Sequence, residues 1–355
     1  MHKQLQYACD QGEIRLLDFH LGLFLAQQAV DRDGQTSKKT TNIERMGSRS
    51  KHPSLLLAAT LASAAVGNGH VCYPLGEVPE QPALADMVEK NCPDPEQWRE
   101  ELLATSVVGQ PGEVSPLILD AKNRLYLRRF SCYEEFIAGA LRRRAATALH
   151  LDRQVACQLL GRLFPQAAEE GALDYQQMAA ALALLKPLVI ISGGPGTGKT
   201  HTVARILAVI QALHARQQDK QRGQKKKLLR IALAAPTGKA AARLEESIRK
   251  AKLSLPKDLR HDIPEQAQTL HRLLGSRPGA TAFRFNKDNP LYLDLLILDE
   301  ASMIDVEMMV ALLEALPEKT RIILLGDRNQ LASVEAGSLF ADLCGNDELG
   351  WSPQL

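Results

Sequence analysis

The ten residues Ile191–Thr200, ISGGPGTGKT, constrain the fold more than any other stretch of this chain. An apolar run, Leu188–Ser192, leads into them, and a helical pattern over 199–215 leads out. Gly193, Gly198, Lys199 and Thr200 fit the spacing G-x-x-x-x-G-K-[ST] between a strand and a helix. Glycines at that spacing let backbone N–H groups curl around phosphate oxygens at a helix N-terminus. Gly194, Pro195, Gly196 and Thr197 complete the loop, Lys199 is suited to the β- and γ-phosphates, and Thr200 to a Mg²⁺ ion. The stretch therefore predicts a nucleotide site at the end of a strand in an α/β sheet.

The sequence after Leu173 continues that pattern. A helix over 174–186 opens at Asp174, with Gln177 completing a D-x-x-Q cap. Strands over 188–192, 229–235, 293–299 and 321–326 alternate with helices over 199–215, 238–252, 305–316 and 337–344. Continuous apolar strands between helices predict a parallel sheet with both faces covered. Residues 216–227 are polar and basic and read as a loop.

The first half reads differently. Residues 1–30 have a helical pattern, 31–54 form a polar insert, and 55–66 resume as a helix of small residues. The prolines of 74–95 predict loop around a short helix at 82–90. Two apolar runs flank DAKN in 116–130 and predict a β-hairpin, followed by helices over 131–149 and 152–163. A break at 165–171 suggests a boundary. The expected organisation is a helical domain over 1–115, a connecting region over 116–170 and an ATPase domain over 171–355.

Composition adds limits. A net charge of +2 names no partner, so any nucleic-acid surface must come from local clustering. The six cysteines are scattered, with no C-x-x-C pair to suggest a zinc or iron–sulfur site, and reduced thiols in a cytoplasmic protein are expected. The longest apolar run, 55–67, falls short of the about 20 residues a membrane helix requires.

Two further stretches complete a nucleotide site. LLILDEASMID ends an apolar strand with Asp299 and Glu300. The first carboxylate suits Mg²⁺ and the second an attacking water as general base. Helix capping is the other use of such residues, with Ser302 or Asp305 the candidates and Asp305 the one expected to serve it. LLGDRNQLASVEAG follows another apolar strand, with Gln330 able to reach a terminal phosphate or the lytic water and Asp327 able to shape the loop.

Taken together, these stretches resemble a superfamily 1 helicase motor, with a P-loop NTPase fold of the RecA-like kind behind a mainly helical N-terminal domain. GGPGTGKT resembles motif I, LAAPTGKAAARL motif Ia, LDEAS motif II and GDRNQL motif III, while TLHRLLG resembles a DNA-side motif of the 5′→3′ branch, superfamily 1B. Gln176 lies 17 positions before Gly193, as in that superfamily's adenine-reading Q motif, with Gln177 as the other candidate. More closely, the set resembles the RecD family, the alpha subunits of exodeoxyribonuclease V, the RecBCD complex. GHVCYPL and RLYLRRF carry a looser likeness in the first 170 residues.

The resemblance implies ATP and Mg²⁺ as cofactors, 5′→3′ movement on single-stranded DNA from double-strand ends, and the beta and gamma subunits (RecB and RecC) as partners, with the N-terminal domain against the gamma subunit. It implies catalytic roles for Lys199, Glu300 and Gln330. It further implies DNA contacts at Thr237, Lys239, Arg243, Thr269 and His271; otherwise Lys239 and Arg243 read as an ordinary exposed helix face. The basic residues of 216–230 read as a solvated loop, and Arg142–Arg144 as an exposed helix face or a surface for a partner. Phe283 and Phe285, in TAFRFNKDN, suit either base stacking or packing beneath a small hairpin. The second RecA-like domain of such a motor, with its arginine finger, is not found before Leu355, so weak nucleotide binding and poor hydrolysis are expected of this chain alone. A ring-forming P-loop ATPase and a non-catalytic interaction subunit are the competing classes.

Overall fold

The computed structural model describes residues 1–29, 52–91, 94–165, 174–194, 196–220, 228–280, 282–330, 337 and 339–345. They divide into two compact units, the first comprising Met1–Glu135 and the second beginning at Phe136.

In the first unit the helical pattern over 1–30 resolves into two helices, α1 (His2–Asp10) and α2 (Leu16–Gln28). The break is set by Arg15, whose N–H donates to Asp18 Oδ2 at 3.0 Å and so starts a new helix. Asp18 is buried, and its charge is met by the Arg15 guanidinium at 2.6 Å and the Ser63 hydroxyl at 2.7 Å. α3 (Pro53–Gly67) is apolar all round and buried from Leu55 to Ala64, the expected fate of a helix without a polar face. The insert 31–54 lies almost wholly outside the described residues.

β1 (Cys72–Pro74), α4 (Pro82–Asn91), α5 (Pro95–Leu103), β2 (Val108–Gly109), β3 (Leu117–Leu119) and β4 (Arg124–Leu127) complete this unit. Strands β1 and β2 and helix α5 were not foreseen. α5 starts on a clear local signal, Asp94 accepting from Glu96 N at 3.2 Å with Pro95 at the first helical position. The expected hairpin is β3–β4, extended on both sides into a mixed sheet ordered β1-β4-β3-β2. Residues 116–170 are therefore not one connecting region. The hairpin pairs with β1 and belongs to the first unit. The helices after it, α6 (Arg128–Ala146) and α7 (Arg153–Leu163), lead into the second, and the division falls inside α6. The break at 165–171 lies mostly outside the described residues.

The second unit runs α8 (Tyr175–Leu185), β5 (Leu188–Ser192), α9 (Lys199–Lys220), β6 (Ile231–Ala235), α10 (Gly238–Ser254), β7 (Ala267–Thr269), α11 (Leu270–Leu273), β8 (Leu295–Leu298), α12 (Val306–Ala315), β9 (Arg321–Gly326) and α13 (Leu339–Cys344). α9 continues through 216–220, where a loop was expected, and 221–227 lie outside the described residues. The five strands are all parallel, in the order β5-β9-β8-β6-β7. The core joins Val203, Ile206, Leu207 and Ile210 of α9 to Leu244 and Ile248 of α10 and to strand residues Val189, Leu233, Ile297 and Ile323. This is the α/β class the strand pattern indicated. Because the strands are parallel, every strand's C-terminal end opens on one sheet edge, where such sheets do their chemistry.

One surface expectation fails. Arg142 and Arg143 are exposed, but Arg144 is buried and donates to the carbonyls of Leu316 and Pro317 at 3.2 and 3.3 Å. It closes the C-terminal end of α12, where backbone carbonyls lack helical partners.

Candidate nucleotide site

The loop from Gly193 to Gly198 leaves β5 and enters α9 at Lys199. Its first N–H is tied to the neighbouring strand, Gly193 N donating to Gly326 O at 3.1 Å. Within it, Thr197 Oγ1 donates to Gly194 O at 2.9 Å, and the Lys199 ammonium donates to the carbonyls of Gly193 and Gly194. Gly196 and Gly198 have φ of +79° and +83°, the left-handed region that a side chain resists. At Gly198 a Cβ would also meet Gln176 Nε2 at 2.6 Å, so the Gln176 amide lies directly on the loop. Thr200 follows in the first turn of α9. Pro195 lies outside the described residues.

Gln176 is placed there by α8. Asp174 caps that helix by accepting from Gln176 N at 2.8 Å and Gln177 N at 3.1 Å. The Gln176 amide then donates to Thr197 O at 3.2 Å. Spacing alone left Gln176 and Gln177 open; the loop contact is made by Gln176.

β5 and β8 flank β9, so the glycine loop and the Asp299–Glu300 pair stand one strand apart on the same sheet edge. Asp299 N donates to Ala234 O at 2.9 Å, holding the end of β8 against β6. Burial raises the Asp299 pKa above the usual carboxylate range. The Glu300 N–H, donating to Asp299 Oδ1 at 2.9 Å, opposes the rise, the Glu300 charge adds to it, and the Lys199 charge opposes it. Lys199 and Asp299 thus lie close enough to feel one another, although their elements are about a hundred residues apart in sequence. Glu300 adopts φ +52° and ψ +41°, a conformation rare for a residue with a side chain and concentrated at functional sites. The chain turns sharply there into a short 3₁₀ segment, Ala301–Met303, before Asp305 caps α12 through Met308 N at 2.6 Å, the role expected of it.

After β9, Asp327 accepts from Asn329 N at 3.0 Å and its carbonyl accepts from Gln330 N at 3.2 Å, folding the loop back toward β8. Gln330 Oε1 then accepts from the Ser302 hydroxyl at 3.3 Å. Ser302 is buried and joins the loops after β8 and β9. Arg328 N donates to Ser192 Oγ at 3.3 Å, fastening the same loop to the end of β5.

The residues expected on DNA lie further along the same edge. Thr237, Lys239 and Arg243 are exposed at the start of α10, just after β6. Thr269 ends β7, paired with Ala235 of β6, and His271 follows in α11. Both threonine hydroxyls act as helix caps, Thr237 accepting from Ala240 N and Thr269 from Arg272 N, each at 3.2 Å. Phe283 lies edge-on to His271 at 5.9 Å, and Phe285 N donates to Leu274 O, so both phenylalanines border α11. In place of the expected hairpin there is a single bridged turn, Asn286 to Asn289. Among the described residues no group of three or more His, Cys, Asp or Glu side chains is placed to hold a metal, and no helix is long and apolar enough to cross a membrane.

Two side chains here were not singled out from sequence, Ser192 and Arg205, and Ser302, read only as a possible helix cap, instead bonds Gln330. Ser302 has a partial signal, a small polar residue between Ala301 and Met303 just after the carboxylate pair. Arg205, on α9, lies over the Phe164 ring at 4.9 Å and reaches Gln176 Oε1 at 3.5 Å. Nothing in its local sequence marks it.

A left-handed glycine loop at a helix N-terminus, a lysine within it and a carboxylate pair one strand away define a P-loop nucleotide-binding domain. Comparison with known proteins narrows this. A family model described as "AAA domain" matches residues 176–336, and one described as "RecBCD enzyme subunit RecD, N-terminal domain" matches residues 10–126. The RecBCD enzyme subunit RecD of Mycolicibacterium smegmatis is 41% identical over 293 residues, 82% of this chain and 49% of that protein. That of Haemophilus influenzae is 47% identical over 192 residues, 52% and 28% of the two chains. The ATP-dependent RecD2 DNA helicase of Deinococcus radiodurans is 35% identical over 173 residues, 49% and 20%. The chain is thus similar to RecD proteins in both of its halves. It spans about half, or less, of the length of these relatives.

Proposed function

We propose that this chain carries the first motor domain of an ATP-dependent DNA helicase subunit of the RecD type. The single observation that carries the reading is the convergence of the Gly193–Thr200 loop and the Asp299–Glu300 pair on one sheet edge, with Lys199 acting electrostatically on Asp299. ATP is the substrate. The glycine loop suits its phosphates because the positive-φ glycines turn the backbone toward the start of α9. Thr200 and Asp299 would hold Mg²⁺, which supplies charge neutralisation across the terminal phosphates. Lys199 exchanges the carbonyls of Gly193 and Gly194 for phosphate oxygens. Glu300, at the left-handed turn that ends the strand, takes the proton of the attacking water. Gln330 reads the terminal phosphate, and the Ser302 bond ties that reading to the segment that carries Glu300.

The work that hydrolysis drives is movement on single-stranded DNA in the 5′→3′ sense, within a complex with RecB and RecC that opens double-strand ends for recombinational repair in the cytoplasm. The names of the relatives support a DNA helicase and a RecBCD subunit, and the cluster of Thr237, Lys239, Arg243, Thr269 and His271 beside the nucleotide site suits a DNA strand. ATP turnover is expected to rise on adding single-stranded DNA when the chain is assayed with its beta and gamma subunits. Turnover indifferent to DNA would point to a ring-type ATPase, and a stable complex without turnover to an interaction subunit. For the DNA face, Lys239→Ala is expected to weaken binding about equally across sequences and to reduce the slope of log affinity against log salt by about 1. An unchanged slope in salt titrations removes Lys239 from the interface.

A further inference from the structure

We infer that Arg205 is a positioning residue that fixes the Gln176 amide in the one orientation that selects adenine over guanine nucleotides. The inference rests on the proposed reading of the Gly193–Thr200 loop as an ATP site with Gln176 facing the base.

Gln176 sits between two groups of opposite, unalterable character. Its Nε2 donates to the Thr197 carbonyl at 3.2 Å, and its Oε1 faces Arg205 Nη1 at 3.5 Å. A carbonyl only accepts and a guanidinium only donates, so a flipped amide would set donor against donor and acceptor against acceptor. The orientation is therefore imposed by the neighbours. The two bonds leave Gln176 one amide hydrogen and one oxygen lone pair, side by side. Adenine presents a matching pair on its outer edge, the N6 amino donor and the N7 acceptor, whereas guanine presents two acceptors, N7 and O6. The held amide makes both bonds to adenine but only the N7 bond to guanine, with its oxygen set against O6. Freed, it loses its preorganisation for adenine and can turn both amino hydrogens to guanine N7 and O6, so most of the preference goes.

Arg205 can hold that sense because it is itself held. Its guanidinium lies over the Phe164 ring at 4.9 Å, a cation–π contact that leaves the N–H groups at the rim free to point outward. Phe164 is buried in the core and closes α7, its N–H donating to Leu160 O at 2.9 Å. Arg205 also stands on α9, the helix that begins with Lys199 and Thr200. One rigid element thus carries both the phosphate-binding residues and the residue that orients the base reader. Gly198 lacks the Cβ that would stand 2.6 Å from Gln176 Nε2, so the glycine is what lets the amide lie against the loop.

The test is titration of the chain with fluorescent N-methylanthraniloyl ADP and GDP, with thermal unfolding as a control. The parent protein is expected to prefer ADP, and Gln176→Ala to lose that preference. Arg205→Met, which keeps length and apolar contact with Phe164, is expected to lower the ADP-to-GDP preference about tenfold, mainly by weakening ADP. Arg205→Lys, which keeps the charge over the ring, is expected to recover part of it. If Gln176→Ala keeps the preference, the base is not read by Gln176 and the underlying reading fails. If Gln176→Ala loses it while Arg205→Met retains the parent value, Arg205 does not position the amide and this proposal is overturned. Should Arg205→Met unfold, Phe164→Leu replaces it: the preference is expected to fall, and an unchanged ratio counts against the proposal.

Discussion

Lys199→Ala is expected to abolish measurable ATP turnover, and Glu300→Gln to do nearly the same by a different route. Lys199 is the cation of the loop, and its ammonium already sits among the backbone carbonyls of Gly193 and Gly194, where incoming phosphate oxygens would replace them. Removing one preorganised charge from such a site costs about 10²–10³ in rate. It also weakens nucleotide binding, because the same charge meets the ground-state triphosphate. Glu300 differs. Its carboxylate is proposed to act only on the attacking water, so Glu300→Gln is expected to lower kcat by about 10²–10⁴ with nucleotide affinity retained. The glutamine is close to isosteric and keeps the backbone N–H that Asp299 accepts, so the left-handed turn is preserved. Fluorescent-nucleotide titration beside steady-state turnover, on the chain with its partner subunits, separates the two. Loss of binding in Glu300→Gln would mean that this carboxylate shapes the site and does not serve as base.

These two residues were legible in the sequence because their chemistry dictates residue type at fixed local spacing. A glycine loop must follow a strand and open a helix, and a carboxylate pair must end a strand. The parallel sheet then brings the two together without any further instruction. What could not be read were contacts between side chains far apart in sequence. Arg205 meets Gln176 across 29 positions, and Ser302 meets Gln330 across 28. Neither arginine nor serine carries a periodic or spacing signal that names such a partner. Arg144 is a different case. The run Arg142–Arg144 looks like a solvated face, yet Ile137, Ala140, Leu141 and Arg144 follow the i, i+3, i+4, i+7 spacing of one helix face, and all four are buried. Helical period outranked the charge run. Within residues 1–30 the helix from Leu16 was legible, but its start was not marked, because the arginine that caps α2 is an unusual residue for that place.

Phe340→Ala is expected to destabilise the second unit by about 3–5 kcal/mol, the range for a buried phenylalanine, and to weaken nucleotide binding as well. Phe340, on α13, is 3% exposed and lies against the last residue of β9: a Cβ at Gly326 would meet its ring at 2.8 Å. Gly326 carries no left-handed φ, so the glycine is there for this close approach alone. The carbonyl of the same residue accepts from Gly193 N, and the loop that follows leads to Gln330. A cavity under Gly326 therefore loosens both the first residue of the phosphate loop and the approach of Gln330. Gly326→Ala tests the contact from the other side. Its methyl has to displace the ring, and overpacking of this kind costs about 1–3 kcal/mol. In Gly326→Ala combined with Phe340→Leu the methyl enters space the smaller side chain gives up. The double variant is expected to be more stable than the sum of the single effects by about 0.5–3 kcal/mol, the usual coupling of residues in contact. Urea unfolding followed by nucleotide binding reads the second unit specifically. Strict additivity would show that Gly326 and Phe340 act independently, and the glycine at the end of β9 would then require another reason.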